Sequence, residues 1–236
     1  VLDAHRDIVS IEERDYLAQW LIPNLHQRNN PLRSLKDTIS QLSAADISQW
    51  RHKYFDAMAE ILQSPIESRL IIDKNPAYNP VIPIMLRIFP ETKLIVALRD
   101  PRDVLVSCYF RYLPLNPVSV RFLTPERIVE RYSFDMRAWL KLRPWLSNPW
   151  CEVRYEDTVD DLEATARKML DTLGVPWTPE VLQFRDRQQQ RPVNSPSYQA
   201  VAGPVTRSAI GRWRNYEPWL GEAFDALTPI TKELGY

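Results

Sequence analysis

The sequence predicts an α/β domain in which a parallel sheet is flanked by helices. Three observations predict it. Two short apolar runs, Arg69-Leu70-Ile71-Ile72-Asp73 and Lys93-Leu94-Ile95-Val96-Ala97-Leu98, do not alternate. They read as strands buried on both faces, the habit of parallel sheets. A helical stretch from Val81 to Phe89 lies between them, so strand, helix and strand form a crossover unit expected to be right-handed. Directly behind the second run, Asp100-Pro101 supplies an N-cap and a proline at the first helical position.

The other elements follow in chain order. Val1-Leu2-Asp3-Ala4-His5 reads as the tail of a helix already under way, and Val1 is not a methionine, so a piece of a longer protein is expected. From Ile11 to about Leu62 the spacing is helical: Tyr16, Trp20 and Leu21, then Ile47, Trp50, Tyr54, Met58 and Ile61. Pro23 and Pro31 interrupt the first part, and Ser43 or Asp46 caps the second. The helix opened by Asp100 should run to about Tyr112. Thr124-Pro125-Glu126 opens another, through to Trp145. Cys151 to Tyr155 reads as a third strand, and Asp160 to Leu173 as an amphipathic helix ended by Gly174. Arg185 to Arg207, polar and interrupted by Pro192, Pro196 and Pro204, reads as a long loop. Pro218 to Leu234 forms the last helix. The whole, residues 1–236, is expected to be one domain.

Composition bounds what such a domain can do. The chain of 236 residues is 44 % apolar and 25 % charged, ordinary values for a globular protein. Thirty basic residues balance thirty acidic ones, which removes the electrostatic footprint of a general nucleic-acid binder or a polybasic membrane module. No window approaches the roughly 18 uninterrupted apolar residues of a membrane span. Cys108 and Cys151 form neither a disulfide framework nor a C-x-x-C pair, and a reducing cytoplasm is the expectation. His5, His26 and His52 have no second ligand at metal spacing, so no metal is expected. Only five glycines occur, none before Gly174, against an average of about 7 %. Neither a G-x-G-x-x-G turn nor a G-x-x-x-x-G-K loop is present, and no G-x-S-x-G elbow.

Four clusters carry chemistry. Arg99 follows the second strand, where open α/β sheets bind ligands. A helix would put Ser107 and Arg111, four apart, on one face. Two guanidiniums and a hydroxyl suit one phosphate. Alternatively, Arg99 pairs with Asp103 and Arg111 is a solvated charge. Glu12-Glu13, close behind His5, offers one carboxylate that could take a proton from an acceptor hydroxyl, or merely a solvated helix start. Lys74, in Asp73-Lys74-Asn75-Pro76, could neutralise charge on a leaving group, or be a surface lysine in a turn. The late segment holds Ser195 to Tyr198, Gly203 to Arg207 and Gly211-Arg212-Trp213-Arg214-Asn215-Tyr216. It could fold over a planar anion, or be a basic surface loop with Trp213 in the core.

In this order the clusters resemble the sulfotransferases that use 3′-phosphoadenosine-5′-phosphosulfate. The resemblance is nearest to tyrosylprotein sulfotransferases and to bacterial sulfotransferase domains behind tetratricopeptide repeats. It rests on Leu2-Asp3-Ala4-His5 with Glu12-Glu13, Asp73 to Pro76, Phe89-Pro90-Glu91-Thr92-Lys93, Leu98 to Ser107, Val153-Arg154-Tyr155-Glu156-Asp157, and Gly211-Arg212-Trp213. It implies a sulfotransferase fold of the P-loop nucleotide-hydrolase type. Arg99 and Ser107 would hold the 3′-phosphate, with Arg111 a further arginine. Tyr155 would contact the nucleotide, and Ser197, Tyr198, Thr206 and Arg212 would belong to the segment closing over it. Glu13 falls on the general base and Lys74 on the lysine that assists the leaving group. No metal is implied.

The family's N-terminal strand and its P-R-S-G-T-T-like 5′-phosphosulfate loop match no segment here; by motif order they fall before Val1. The acceptor would be a hydroxyl on a protein tyrosine or a small molecule, in a pocket shaped by Ile11–Leu62 and Tyr112–Phe122. Tetratricopeptide repeats upstream and a homodimer are further expectations. A bacterial cytoplasmic enzyme is expected, with the Golgi lumen as the alternative for a eukaryotic tyrosylprotein enzyme. Two other functions fit the same features: a nucleotide kinase-like phosphoryl transferase, and a degenerate binding module attached to a helical repeat array.

Overall fold

The computed structural model describes residues 1–11, 16–17, 34–63, 66, 68–76, 78–111, 119–184 and 206–236. Glu12 and Glu13, most of the helical stretch before Ser34, and the long loop up to Val205 lie outside the described residues. The chain divides into two compact units, Val1–Lys93 and Leu94–Tyr236.

In the first unit a 3-10 turn, Leu2–Ala4, leads into β1 (Ile8–Ser10). Helices α1 (Leu35–Ser40) and α2 (Ala44–Leu62) follow, then β2 (Leu70–Ile72) and, after a 3-10 turn, α3 (Ile82–Ile88). Strands β1 and β2 pair in parallel, Ile8 with Leu70 through Ser10 with Ile72. Ser43 caps α2 in a capping box: its hydroxyl accepts from the Asp46 N–H, and the Asp46 carboxylate accepts from the Ser43 N–H. Trp50, Tyr54 and Met58, four residues apart, put one stripe of α2 into a core with Ile84, Ile88 and Phe89 of the α3 segment.

The second unit opens with β3 (Leu94–Leu98), α4 (Pro101–Tyr109) and α5 (Pro125–Leu142). Next come β4 (Trp150–Arg154), α6 (Tyr155–Asp160), α7 (Leu162–Leu173) and α8 (Glu217–Glu233). β3 and β4 pair in parallel from Leu94 with Trp150 to Leu98 with Arg154. The ladder therefore stops one residue before Arg99 and Tyr155. Leu105 and Val106 of α4, Ile128 of α5, and Leu220, Phe224 and Leu227 of α8 form the core around Trp213.

The helix starts expected at Ser43, Asp100 and Thr124 are present, each with a side-chain cap. Gly174 ends α7 at φ 65°, the left-handed region that favours glycine. Several boundaries differ. α4 stops at Tyr109, not Tyr112, so Arg111 lies beyond the helix and not on its face. The helix expected from Asp160 to Leu173 is present as α7, capped by Asp161, which accepts from the Ala164 N–H, and a further short helix, α6, precedes it from Tyr155. Tyr155 thus opens a helix instead of ending a strand. β1 adds a strand, so among the described residues Trp150–Arg154 is the fourth and not the third. Strand, helix and strand follow in the expected order as β2, α3 and β3, with β2 bonded to β1 and β3 bonded to β4. An apolar run announces a buried strand but carries nothing that names its partner.

Candidate active site

At the carboxyl end of β3, the Arg99 side chain is 20 % exposed and fixed on three sides. Its Nη2 donates to the Ala209 carbonyl and lies 3.9 Å from Asp103 Oδ2. Its Cζ sits 4.8 Å from the centre of the Tyr155 ring, a cation–π contact. The pairing with Asp103 considered from sequence is therefore present, but it is long. Asp103 spends its oxygens elsewhere: Oδ2 accepts from the Gly211 N–H at 2.7 Å, and Oδ1 from the Trp213 N–H at 2.8 Å. Burial pushes the Asp103 carboxyl up, and these two N–H groups, then Arg99, pull it back. Asp103 so latches the 3-10 turn Arg212–Tyr216 onto the first turn of α4.

That turn needs its glycine. Gly211 adopts φ 67°, where an L side chain is strained. Two guanidiniums lie against the Trp213 ring, Arg102 Cζ at 3.9 Å and Arg214 Cζ at 4.7 Å from its centre. Arg102 is fixed in turn by a bidentate ion pair with the N-cap residue Asp100, Nε to Oδ1 at 2.9 Å and Nη2 to Oδ2 at 2.7 Å.

The Arg99 Nε and the Arg212 Nε are buried without a hydrogen-bond partner among the described residues. An orphaned buried donor costs roughly 1–3 kcal/mol. Two of them on cationic groups fit anionic oxygens that the described residues do not supply.

The other expected residues sort as follows. Ser107 is half-buried on the last full turn of α4. Its neighbour Cys108 feels both guanidiniums: burial pushes the thiol up, and Arg111, then Arg99, oppose it. Arg99 and Arg111 therefore both direct positive charge at the Ser107–Cys108 end of α4. Tyr155 OH donates weakly to the Thr206 carbonyl at 3.5 Å, and Thr206 Oγ1 lies 2.7 Å from Ser208 Oγ. So Arg99, Tyr155 and Thr206 are brought together, and Arg212 is held by the turn that Asp103 latches. In the first unit Lys74 is exposed just past β2, next to Asp73. The Asp73 carboxylate accepts from Tyr54 OH at 2.9 Å and Tyr78 OH at 3.1 Å. Glu13, Ser197 and Tyr198 lie outside the described residues.

Sequence reasoning missed the latch. From sequence Asp103 offers itself only as a partner for Arg99 four residues away, and no local signal links it to amides 108 and 110 residues later. No cluster of three or more His, Cys, Asp or Glu side chains able to hold a metal occurs among the described residues. Nor, among them, is any helix long and apolar enough to cross a membrane.

The model of the family described as "Sulfotransferase family" matches residues 1–179. A protein of Aquifex aeolicus (strain VF5), named only as uncharacterized, is 28 % identical over 185 residues, 77 % of this chain and 23 % of that protein. Mouse (Mus musculus) sulfotransferase 2A2 is 28 % identical over 159 residues, 58 % of this chain and 55 % of the enzyme. The matched region thus spans about a quarter and about half of these relatives' lengths. Among solved structures, the sulfotransferase domain of the Synechococcus PCC 7002 olefin synthase superposes with a TM-score of 0.65 at 20 % identity, over 100 % of this chain and 88 % of that one. At that identity the likeness speaks for the fold, an α/β fold with parallel strands flanked by helices. With a family model covering three quarters of its residues, the chain belongs to the sulfotransferase family.

Proposed function

We propose that this protein transfers a sulfuryl group from 3′-phosphoadenosine-5′-phosphosulfate to an acceptor hydroxyl by in-line displacement. A bond from the acceptor oxygen to sulfur forms, the bond from sulfur to the 5′-phosphate oxygen breaks, and adenosine 3′,5′-bisphosphate leaves. The observation that carries the reading is the Arg99 guanidinium, stacked on Tyr155 past the end of β3 with a buried Nε that has no acceptor among the described residues. The bound donor would supply an activated sulfuryl group on a good leaving group. Arg99 and Ser107 hold its 3′-phosphate, with Arg111 adding charge. Tyr155 lies against the nucleotide, and Arg212, Thr206, Ser197 and Tyr198 close over it. Lys74 neutralises charge on the departing phosphate oxygen, and Glu13 receives the acceptor's proton. A phenol has a pKa near 10, so an aligned carboxylate base is chemically useful. Most of the rate then comes from positioning and electrostatic stabilisation.

Titration calorimetry with adenosine 3′,5′-bisphosphate tests the site. Arg99→Ala should weaken binding at least about thirtyfold, the loss expected for one partner of a buried charge pair. Unchanged binding would overturn the assignment. Labelled donor offered with phenols, sugars and peptides tests the chemistry: Glu13→Gln should slow transfer while sparing nucleotide affinity. An activity that requires magnesium and moves phosphate instead would identify a kinase-like enzyme, and donor binding without transfer would identify a binding module.

A further inference from the structure

The motif Val153-Arg154-Tyr155-Glu156-Asp157 gives one side chain, Tyr155, to the proposed site and leaves its neighbour Glu156 without a role. Glu156 Oε1 accepts from the Asp100 backbone N–H at 3.1 Å, and Oε2 accepts from Tyr236 OH at 3.0 Å. Asp100 directly follows Arg99 and is itself buried. The β3–β4 ladder ends at Leu98 and Arg154, so residues 99–100 and 155–156 leave the sheet side by side. Past that point two contacts continue the pairing, Arg99 over the Tyr155 ring at 4.8 Å and Asp100 N–H to Glu156.

Tyr236 is fixed from behind. The Arg154 guanidinium lies 4.3 Å from its ring centre, and Arg154 Nη1 donates to the Gly235 carbonyl at 3.1 Å. The phenol is therefore a built support for the carboxylate, and the proximity of Glu156 helps burial push the Tyr236 hydroxyl up, keeping it protonated as a donor.

We infer that Glu156, braced by Tyr236, is a positioning residue for the anion site: it sets the Arg99 backbone so that the guanidinium stays stacked on Tyr155 and aimed at the 3′-phosphate. This rests on the reading of Arg99 as a 3′-phosphate ligand, and the variants are chosen to separate the two.

The test is calorimetry of the intact protein with two probes, adenosine 3′,5′-bisphosphate and adenosine 5′-monophosphate, which lacks the 3′-phosphate. Glu156→Ala should weaken the bisphosphate about tenfold and leave the monophosphate within about twofold, since one misplaced charge-assisted contact is at stake. Glu156→Gln keeps an oxygen for the Asp100 N–H and should recover affinity to within about threefold of wild type. In an Arg99→Ala background, Glu156→Ala should add nothing, because its effect passes through Arg99. Three results overturn the inference while leaving the Arg99 reading intact: no loss, equal loss for both probes, or a full additional loss on top of Arg99→Ala. Wild-type bisphosphate binding by Arg99→Ala alone would overturn the underlying reading and the inference with it. Should Glu156→Ala fail to fold, Tyr236→Phe carries the test. A loss of about two- to threefold confined to the bisphosphate is expected, and no loss counts against it.

Discussion

Replacing Asp103 with asparagine probes the device on which the second unit's site is built. The carboxylate accepts from two main-chain N–H groups, Gly211 at 2.7 Å and Trp213 at 2.8 Å. Asparagine keeps one acceptor oxygen, so one N–H stays bonded and the other faces an amide NH2 group, a donor against a donor. A hydrogen bond to a charged group carries about 1.5–3 kcal/mol, and a buried donor left without an acceptor costs about 1–3 kcal/mol. Part of that is offset, because the amide no longer bears the burial penalty that pushes the Asp103 carboxyl up. The expected net loss is about 2 kcal/mol. With a urea slope of about 2–3 kcal/mol/M for a chain of this size, the midpoint at pH 7 should fall by about 0.7–1 M. Hydrogen exchange gives the local readout: the Gly211 and Trp213 amides should lose protection well before those of β3. A midpoint within about 0.2 M of wild type, with both amides still protected, would refute the latch.

Other perturbations follow from the same contacts. Gly211→Ala should cost about 1–2 kcal/mol in thermal or urea unfolding, because alanine is strained at φ 67°; the near contact with Arg214 Nη1 adds little, since that side chain can move. Trp139→Phe removes the indole N–H that donates to Glu152 Oε1 at 2.7 Å and should destabilise by about 1–3 kcal/mol; a change under 0.5 kcal/mol would show that Arg143, at 2.7 Å from the same oxygen, suffices alone. The Arg51 guanidinium holds the Glu91 carboxyl below its usual value near 4.5. A depressed carboxyl contributes stability above that value and loses it as pH falls through the lowered one. Glu91→Gln should therefore be less stable than wild type at pH 7, by no more than about 1 kcal/mol for so exposed a pair, and the gap should close as pH falls through the lowered carboxyl value. A gap that widens in acid would contradict the pairing.

Much of the second unit is legible along the chain because its signals are local. Asp100-Pro101 and Thr124-Pro125 start helices where capping chemistry requires, and the β3 run announces itself by unbroken apolarity. The place of Arg99 is legible for the same reason: it directly follows such a run and so stands at the carboxyl end of a strand. Failures occur where a boundary or partner depends on tertiary contact. β1 has three residues, too few for a pattern to register against polar neighbours. Tyr155 continues the apolar rhythm of β4, yet the backbone turns helical there and its ring goes under Arg99. Arg111 was expected one turn beyond Ser107 on the same helix, but α4 ends two residues earlier. The bonds from Asp103 and Glu156 span 56 to 110 residues, and no periodicity encodes an amide so far away.

The span bridged by Asp103 also bears on how freely the chain between its ends can vary. Loop-closure entropy grows only logarithmically, so doubling the length of intervening chain costs about 0.6 kcal/mol. Set against two charge-assisted bonds, that is a small tax. The chain between the two can therefore change in length at little cost, while a single acid keeps the Gly211–Trp213 turn in register with α4.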